Sequence, residues 1–521
     1  MAASQSTPVS GEGHLQARLS RLTMVAMTFA ILNTWICLAG TMGLVMPSGG
    51  SVAFLYGFVF CVLCNFTVVA SLGELAALWP TAGGQYHFVY ALCTERWKKM
   101  ISFLVGWINI AGWLTLVTTE GFFAAQFISA ASVIASDGRY EPEPWKTYLF
   151  FVVIVFFVTA SNIWGNRILG AWNDAALYWS ILSVIIISIV LLTMSSKTNA
   201  TYVFTNFSNE TGWSDGMAWI LGLLQSALSL IGFDAVLHMT EEMPHPARDA
   251  PRAMIYAIAV GGVTGTFFII VILFCFADSS SIMSTSTGMP ISELMLQATK
   301  NRTAATIMTI MLAICFINGT NGCTTSASRL IFSMARDKGF FFHRYFEHIH
   351  PTLNVPVRAV VLSLVFNLLF GLLYLGPTVA FNAYIASCTI FLNLSYAFPI
   401  ILLLIRGRSI LSNYQTPETP FKLGATRGTV MNWIAATYVG VTTVFFCFPP
   451  ALPVSANFMN YVPAVIGIFA MLILACWWAY RNTFEGPEFD VIMGVQGGSG
   501  GDTTGLDTPT LEQEEKIGRV T

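Results

Sequence analysis

Twelve stretches of this chain are apolar over lengths near the roughly 20 residues that a helix needs to cross the ~30 Å hydrocarbon core of a bilayer. They run over residues 22–46, 51–72, 100–131, 147–165, 172–194, 216–240, 253–277, 303–327, 359–375, 379–404, 431–452 and 461–480. No water reaches that core, so main-chain N–H and C=O groups must find partners inside the chain, and segments of this length do so as helices. The reading is an all-α polytopic membrane protein with twelve transmembrane helices. Composition agrees: only 10% of the 521 residues are charged, against about a quarter in soluble globular proteins.

Residues 1–21 and 481–521 are polar, rich in Gly, Ser and Thr, and are expected to be disordered cytosolic tails. The first has no basic segment leading into a short apolar core, as a signal peptide would. With both tails inside, 20 of the 25 Lys and Arg residues lie on the cytosolic side, leaving only Arg139, Lys146, Lys197, Lys300 and Arg302 outside. That asymmetry satisfies the positive-inside rule. Four glycan acceptor sequons, at Asn199, Asn206, Asn209 and Asn301, also fall in loops that this topology places outside.

Several function classes drop away. A net charge of −2 gives no ground for nucleic-acid binding. The ten cysteines lie in or beside apolar runs, so no disulfide framework is expected, and Cys61 and Cys64 read as two small apolar residues of one helix. The histidines show no metal-site spacing, and neither a nucleophile–base constellation nor a phosphate-binding loop is present, so no cofactor and no enzyme are expected. A channel would need a continuous polar lining, which these runs lack. A nutrient receptor would be expected to carry a longer folded cytosolic tail.

The sixth apolar run is unlike the others. It holds Ser229, Gly232, Phe233 and Asp234 near its middle, and a glycine weakens a helix while an intramembrane carboxylate is costly. A helix broken at mid-depth exposes main-chain groups that a ligand, an ion, water or protein must satisfy.

The run from Glu74-Leu75-Ala76 through Pro80 to Gly83-Gly84-Gln85-Tyr86 resembles the E-L-A-x-x-x-P-x-x-G-G-x-Y signature of the amino acid/polyamine/organocation permeases. Gly232-Phe233-Asp234-Ala235, His238, Glu241-Glu242 and Pro251-Arg252-Ala253 resemble a block of its fungal amino acid/choline transporter branch, and Ser328-Arg329, Ala335 to Gly339 and Val355-Pro356 resemble the block after the eighth span. The resemblance covers residues 22–480. It implies a leucine-transporter-type fold: a 5+5 inverted repeat, repeat one about 22–194 and repeat two about 216–404, plus two helices at about 431–480. The first helix of each repeat is broken, and the substrate lies between the breaks.

By that resemblance the first break falls near Asn33, Thr34 and Trp35. Many permeases carry a Gly-Ser-Gly or Gly-Thr-Gly turn there, whose bare backbone grips a carboxylate, so this chain departs from the pattern. Glu120 stands alone in the third span. It is either a partner for a cationic headgroup or a proton carrier, or else a protonated residue of a helix interface. Asp234 either shares in transport or caps the half-helix that follows it. Trp35 with Glu120 would suit a quaternary ammonium. His238, Glu241 and Glu242 sit at the cytosolic mouth, where pairs with Arg248 or Arg252 are expected.

The resemblance implies a secondary active transporter importing a small nitrogenous solute (an amino acid, γ-aminobutyrate, choline or a polyamine) by alternating access. A transporter-like nutrient receptor or a substrate exchanger is the alternative. The coupling ion is H+, by analogy with fungal permeases, or Na+, for which hydroxyls such as Thr324 and Thr325 of the eighth span are candidates. The chain is expected in the plasma membrane, with the vacuolar membrane as the other location.

Overall fold

Serine and asparagine caps, proline starts and glycine stops punctuate this chain into nineteen α-helices in the computed structural model, which describes residues 19–376, 380–455 and 459–487. The expected tails lie outside the described residues except for 19–21 and 481–487. In chain order the helices are α1 (Arg21–Leu32), α2 (Thr34–Val45), α3 (Gly50–Leu78), α4 (Gln85–Leu92), α5 (Lys98–Ala135), α6 (Pro144–Trp164) and α7 (Leu169–Met194). Then come α8 (Ala200–Thr205), α9 (Asp215–Leu228), α10 (Ala235–His238), α11 (Pro246–Cys275), α12 (Ser279–Met283) and α13 (Pro290–Thr299). The last are α14 (Arg302–Arg336), α15 (His343–Phe346), α16 (Val357–Gly371), α17 (Ala380–Arg406), α18 (Ala425–Phe445) and α19 (Val462–Tyr480). Among the described residues the main chain forms no strand beyond a single bridge between Ser48 and Asn209.

Local chemistry explains the ends. Ser20 Oγ accepts from Thr23 N at 3.2 Å and opens α1, and Asn301 Oδ1 accepts from Ala304 N at 3.2 Å and opens α14. Proline occupies the first turn of α6, α11, α13 and α19, where its missing N–H costs nothing.

Ten helical segments among the described residues are long and apolar enough to cross a membrane: α1 with α2, then α3, α5, α6, α7, α11, α14, α16 with the turn after it, α17 and α19. The protein is an integral membrane protein. Two of the twelve expected spans are not in that set. The run at 216–240 is interrupted, leaving α9 only 14 residues long. The run at 431–452 forms the 21-residue α18, diluted by Arg427, Asn432 and several threonines.

Contacts fix where the interrupted run lies. Thr198 N, just past α7, donates to Phe274 O at the end of α11 (2.8 Å), whereas Glu242, just before α11, accepts from Leu19 N (3.0 Å). The chain from α7 to α11 therefore passes from one end of the bundle to the other through α9 and α10. At the second end Leu19 and residues 484–485, the described residues near the two termini, also dock. Phe484 is buried against Phe103, and Glu485 N donates to Asp337 O at 3.3 Å, so the first residues of the expected C-terminal tail pack on the bundle. Long α5 and α14 pack along each other through the centre, with α1, α6 and α17 against them, while α19 buries only Val462 and Ile473.

Candidate functional site

The first break is a single left-handed residue. Asn33 N still donates to Phe29 O at 3.1 Å, but at φ 43°, ψ 32° the chain leaves the helix, and it resumes with Cys37 N donating to Asn33 O at 2.7 Å. Asparagine is among the few residues that enter this region readily. Its side chain turns into the bundle, where Nδ2 donates to Glu120 Oε2 at 2.7 Å and to Cys315 O at 3.3 Å. Gly319 of α14 makes room: a Cβ there would lie 2.6 Å from Glu120 Oε2 and 2.9 Å from Ala30 O. Glu120 is buried, and among the described residues no Lys or Arg forms an ion pair with it.

The second break spans residues 229–234. Gly232 has φ 90°, and a Cβ on it would fall 2.8 Å from Ile31 Cγ2, so it lies directly against the last turn of α1. The two breaks therefore face one another. Gly232 N, freed from helical bonding, donates to Tyr396 OH of α17 at 3.1 Å, and that hydroxyl donates to Asp234 Oδ1 at 2.6 Å. Phe233 packs on the same tyrosine ring at 4.6 Å, and Ser229 Oγ donates back to Ser226 O at 2.8 Å.

Asp234 does not cap α10. Its carboxylate turns away and accepts from Gln85 Nε2 (2.7 Å), Trp113 Nε1 (3.2 Å) and Tyr396 OH, with His238 Nε2 at 3.3 Å. Four side chains around a fully buried carboxylate offset its lost hydration better than one backbone N–H at a helix start could. Gln85 is itself held by Asn109 Nδ2 at 2.9 Å. Gln85 and Tyr396 had no individual signal in the sequence, although Gln85 fills the variable position between Gly84 and Tyr86.

Trp35 and Thr34 face the other way. Trp35 Nε1 donates to Ser180 Oγ of α7 at 2.9 Å and its ring meets Phe268 edge-on at 4.9 Å, while Thr34 lies against Gly261 of α11. Thr324 Oγ1 donates to Thr320 O at 2.8 Å, and Thr325 Oγ1 to Asn162 Oδ1 at 2.7 Å and Asn321 O at 3.0 Å. Both threonines lie past Gly322, which abuts Ile31, and so sit nearer the termini than the first break does.

Charged pairs close the termini end. Arg329, 1% exposed, donates through Nε to Glu242 Oε1 at 3.1 Å, and Arg336 Nη2 donates to Glu241 Oε1 at 2.7 Å. The partners expected from sequence, Arg248 and Arg252, form neither pair, because α14 brings its own arginines alongside the turn after α10 while α11 leads away from it. Nearby, His87 Nε2 and Tyr86 OH both meet Asp337 Oδ2, at 2.7 and 2.8 Å, and Glu74 is held by Arg408, Gln415 and Leu423 N. At the opposite end a cleft opens between α2, α9, α17 and α18, lined by Leu44, Ser48, Leu221, Gln225, Ala386 and Phe446.

A helical membrane bundle with two facing helix breaks, acidic groups at both, and one end closed by ion pairs is built as a solute carrier. A profile described as amino acid permease matches residues 19–470. The choline transporter of Saccharomyces cerevisiae is 32% identical over 480 residues, covering 91% of this chain and 83% of its own. The amino-acid permease BAT1 of Arabidopsis thaliana is 29% identical over 92% of this chain and 94% of its own, and the polyamine transporter TPO5 of Saccharomyces cerevisiae is 25% identical over 88% and 74%. This chain belongs to the amino acid permease family of membrane transporters.

Proposed function

We propose that this permease is a secondary active transporter that imports a small nitrogenous solute by alternating access, driven by a proton gradient, and that the solute bears a positive charge, as choline, a polyamine or a basic amino acid does. The observation that carries the reading is Glu120: a buried carboxylate at the first helix break, held by a neutral Asn33 and, among the described residues, without a Lys or Arg partner. A desolvated carboxylate is stabilised by an opposite charge, and a transported cation can supply one. The missing glycine turn at Asn33-Thr34-Trp35 favours the same class, since it removes the bare backbone that would hold a carboxylate.

In this reading the solute lies between Asn33, Glu120, Ser229, Gly232, Phe233 and Asp234, with Thr34 and Trp35 bracing the first break from behind. The chain makes twelve crossings, counting the interrupted α9–α10 segment and α18, and folds as two inverted five-helix repeats plus two helices. Support comes from the matching breaks in α1–α2 and α9–α10 and from the transit of 195–245 between the two ends of the bundle. The conformation described is closed at the termini end by Glu242–Arg329 and Glu241–Arg336. Gln225, whose Oε1 has no hydrogen-bond partner among the described residues, lines the cleft at the other end and offers an entering cation its first polar contact. The proton reading also assigns the hydroxyls of Thr324 and Thr325 to helix packing, with Na+ coordination as their role if the ion is sodium. The membrane is the plasma membrane, the vacuolar one being the alternative.

The test is uptake of labelled choline, γ-aminobutyrate, lysine and spermidine by a transport-deficient host, each with and without a pH gradient. Accumulation of one cation above its equilibrium level, abolished by a protonophore, is expected. Accumulation that follows a sodium gradient instead would replace the proton, and no accumulation of any solute by correctly inserted protein would overturn the reading.

A further inference from the structure

One buried histidine next to the proposed solute site is outside the set of residues assigned to holding the solute. His238, fully buried on α10, lies one turn past Asp234. Its Nδ1 is 2.9 Å from Ala82 O, which can only accept, so Nδ1 carries a hydrogen. Its Nε2 is 3.0 Å from Trp113 Nε1 and 3.3 Å from Asp234 Oδ2, and Trp113 Nε1 is 3.2 Å from that same carboxylate oxygen. An indole N–H only donates.

This three-atom junction can be satisfied in two ways that differ by one proton. With Nε2 bare, Trp113 donates to the imidazole. With Nε2 protonated, the imidazolium donates to Asp234 and Trp113 donates to the carboxylate as well. Neither arrangement requires a side chain to leave its place. The consequence reaches the helix break directly, because Asp234 Oδ1 holds Tyr396 OH, and Tyr396 OH receives Gly232 N. A carboxylate paired with an imidazolium pulls less strongly on the tyrosine, so the proton on His238 alters the bonds that hold the break.

Other ionisable groups around α10 do not compete for this role. From α14 come Cys323, within electrostatic reach of Asp234, and Arg329, already paired with Glu242. From α17 comes Tyr396, with Cys388 near it. The nearest carboxylate of α5 is Glu120, two turns beyond Trp113, and α1 offers only Arg21 at its far start. Arg248, Asp249 and Arg252 lie in the first turns of α11, and Glu241 is paired with Arg336. Among the described residues, His238 is the group in contact with Asp234 that can become a cation.

We propose that His238 carries the coupled proton. An N–H bond forms at Nε2 with a proton taken from water on the side of higher proton activity, an imidazolium–carboxylate pair forms with Asp234, and the proton returns to water on the other side after the bundle reopens. The assignment deepens, and rests on, the proton-coupled reading above.

The experiment uses full-length protein in sealed proteoliposomes, with labelled choline as the probe and spermidine as the second probe. Wild type, His238→Gln and His238→Asn are compared in two assays: counterflow of labelled against unlabelled solute without a gradient, and accumulation driven by an inward proton gradient. Both variants keep an amide that can bond Ala82 O or Trp113 but neither can take a proton. Expected is a loss of pH-driven accumulation of about tenfold or more in both variants, with counterflow persisting within about tenfold of wild type. pH-driven accumulation that survives at the wild-type level in either variant overturns the assignment. So does equal loss of counterflow and accumulation in both variants when their melting temperatures match wild type, since that marks a structural role. Wild-type protein that shows counterflow but no pH-driven uptake would instead overturn the proton-coupled reading itself, and the assignment with it.

Discussion

Asn33 and Glu120, 87 positions apart in the chain, meet through a 2.7 Å hydrogen bond from Nδ2 to Oε2 at the point where the first membrane helix breaks. The left-handed conformation of Asn33 aims its amide at α5, and the glycine at 319 lets α14 approach the carboxylate closely. The arrangement ties the irregular residue of the first span to a buried acid that, among the described residues, forms no ion pair with a Lys or Arg. The proposed cation site rests on that pairing more than on either residue alone.

Gly232→Ala should impair both folding and transport. The residue sits at φ 90°, where an L side chain is strained, and its Cβ would press to 2.8 Å from Ile31 Cγ2. A cost of at least ~1 kcal/mol is expected from the conformation alone, more with the contact. Thermal unfolding in detergent and solute uptake should both fall, while Gly440→Ala on α18, with open space around it, should leave both near wild type.

Arg329→Met should unlock the termini end of the bundle. The substitution leaves Glu242 without its partner in a buried setting, which typically costs about 3 to 5 kcal/mol, and the closed conformation bears that cost. Cys323, buried and six residues before Arg329 on α14, reports the opening. In a background with the other nine cysteines replaced by alanine, maleimide labelling of Cys323 should rise in Arg329→Met and return most of the way in Arg329→Met/Glu242→Gln. Unchanged protection of Cys323 in the folded single variant would show that the pair does not hold that end shut.

Long apolar runs made the helices legible, because a bilayer leaves the chain few alternatives and twenty apolar residues are a strong signal. Gly232 and Asp234 stood out because both are costly in a membrane helix. The rest of the site was not legible for a physical reason: its partners are ordinary polar side chains brought from distant helices. Gln85 comes from the short α4, Trp113 from α5 and Tyr396 from α17, and each looks like a packing residue until the bundle closes. The same reason explains the ion pairs of the acids after α10. Glu241 and Glu242 were visible as a pair of acids, but the choice of Arg336 and Arg329 over Arg248 and Arg252 depends on which helix lies alongside.

Glycan attachment should concentrate at two of the four sequons. Asn199 and Asn301 are exposed, whereas Asn209 Nδ2 is engaged by Trp213 O at 2.7 Å and Asp215 Oδ1 at 2.9 Å, and Asn206 is half-buried against Gly50. Tags on the two termini should be equally protected from external protease, since residues 19 and 485 dock at the same end of the bundle. A mobility shift on deglycosylation that survives Asn199→Gln/Asn301→Gln unchanged would contradict the site assignment, and opposite protection of the two tags would contradict the topology.

The most direct measurement is equilibrium binding of labelled choline and spermidine to purified protein and to Glu120→Gln. Losing a counter-charge in a desolvated site costs about 2 to 5 kcal/mol, so the dissociation constant of the transported cation should rise roughly 30-fold to several thousand-fold, with the fold and membrane insertion intact. Binding and uptake that both stay at wild-type levels in Glu120→Gln would reduce this carboxylate to a helix-interface residue and remove the cation site from the account.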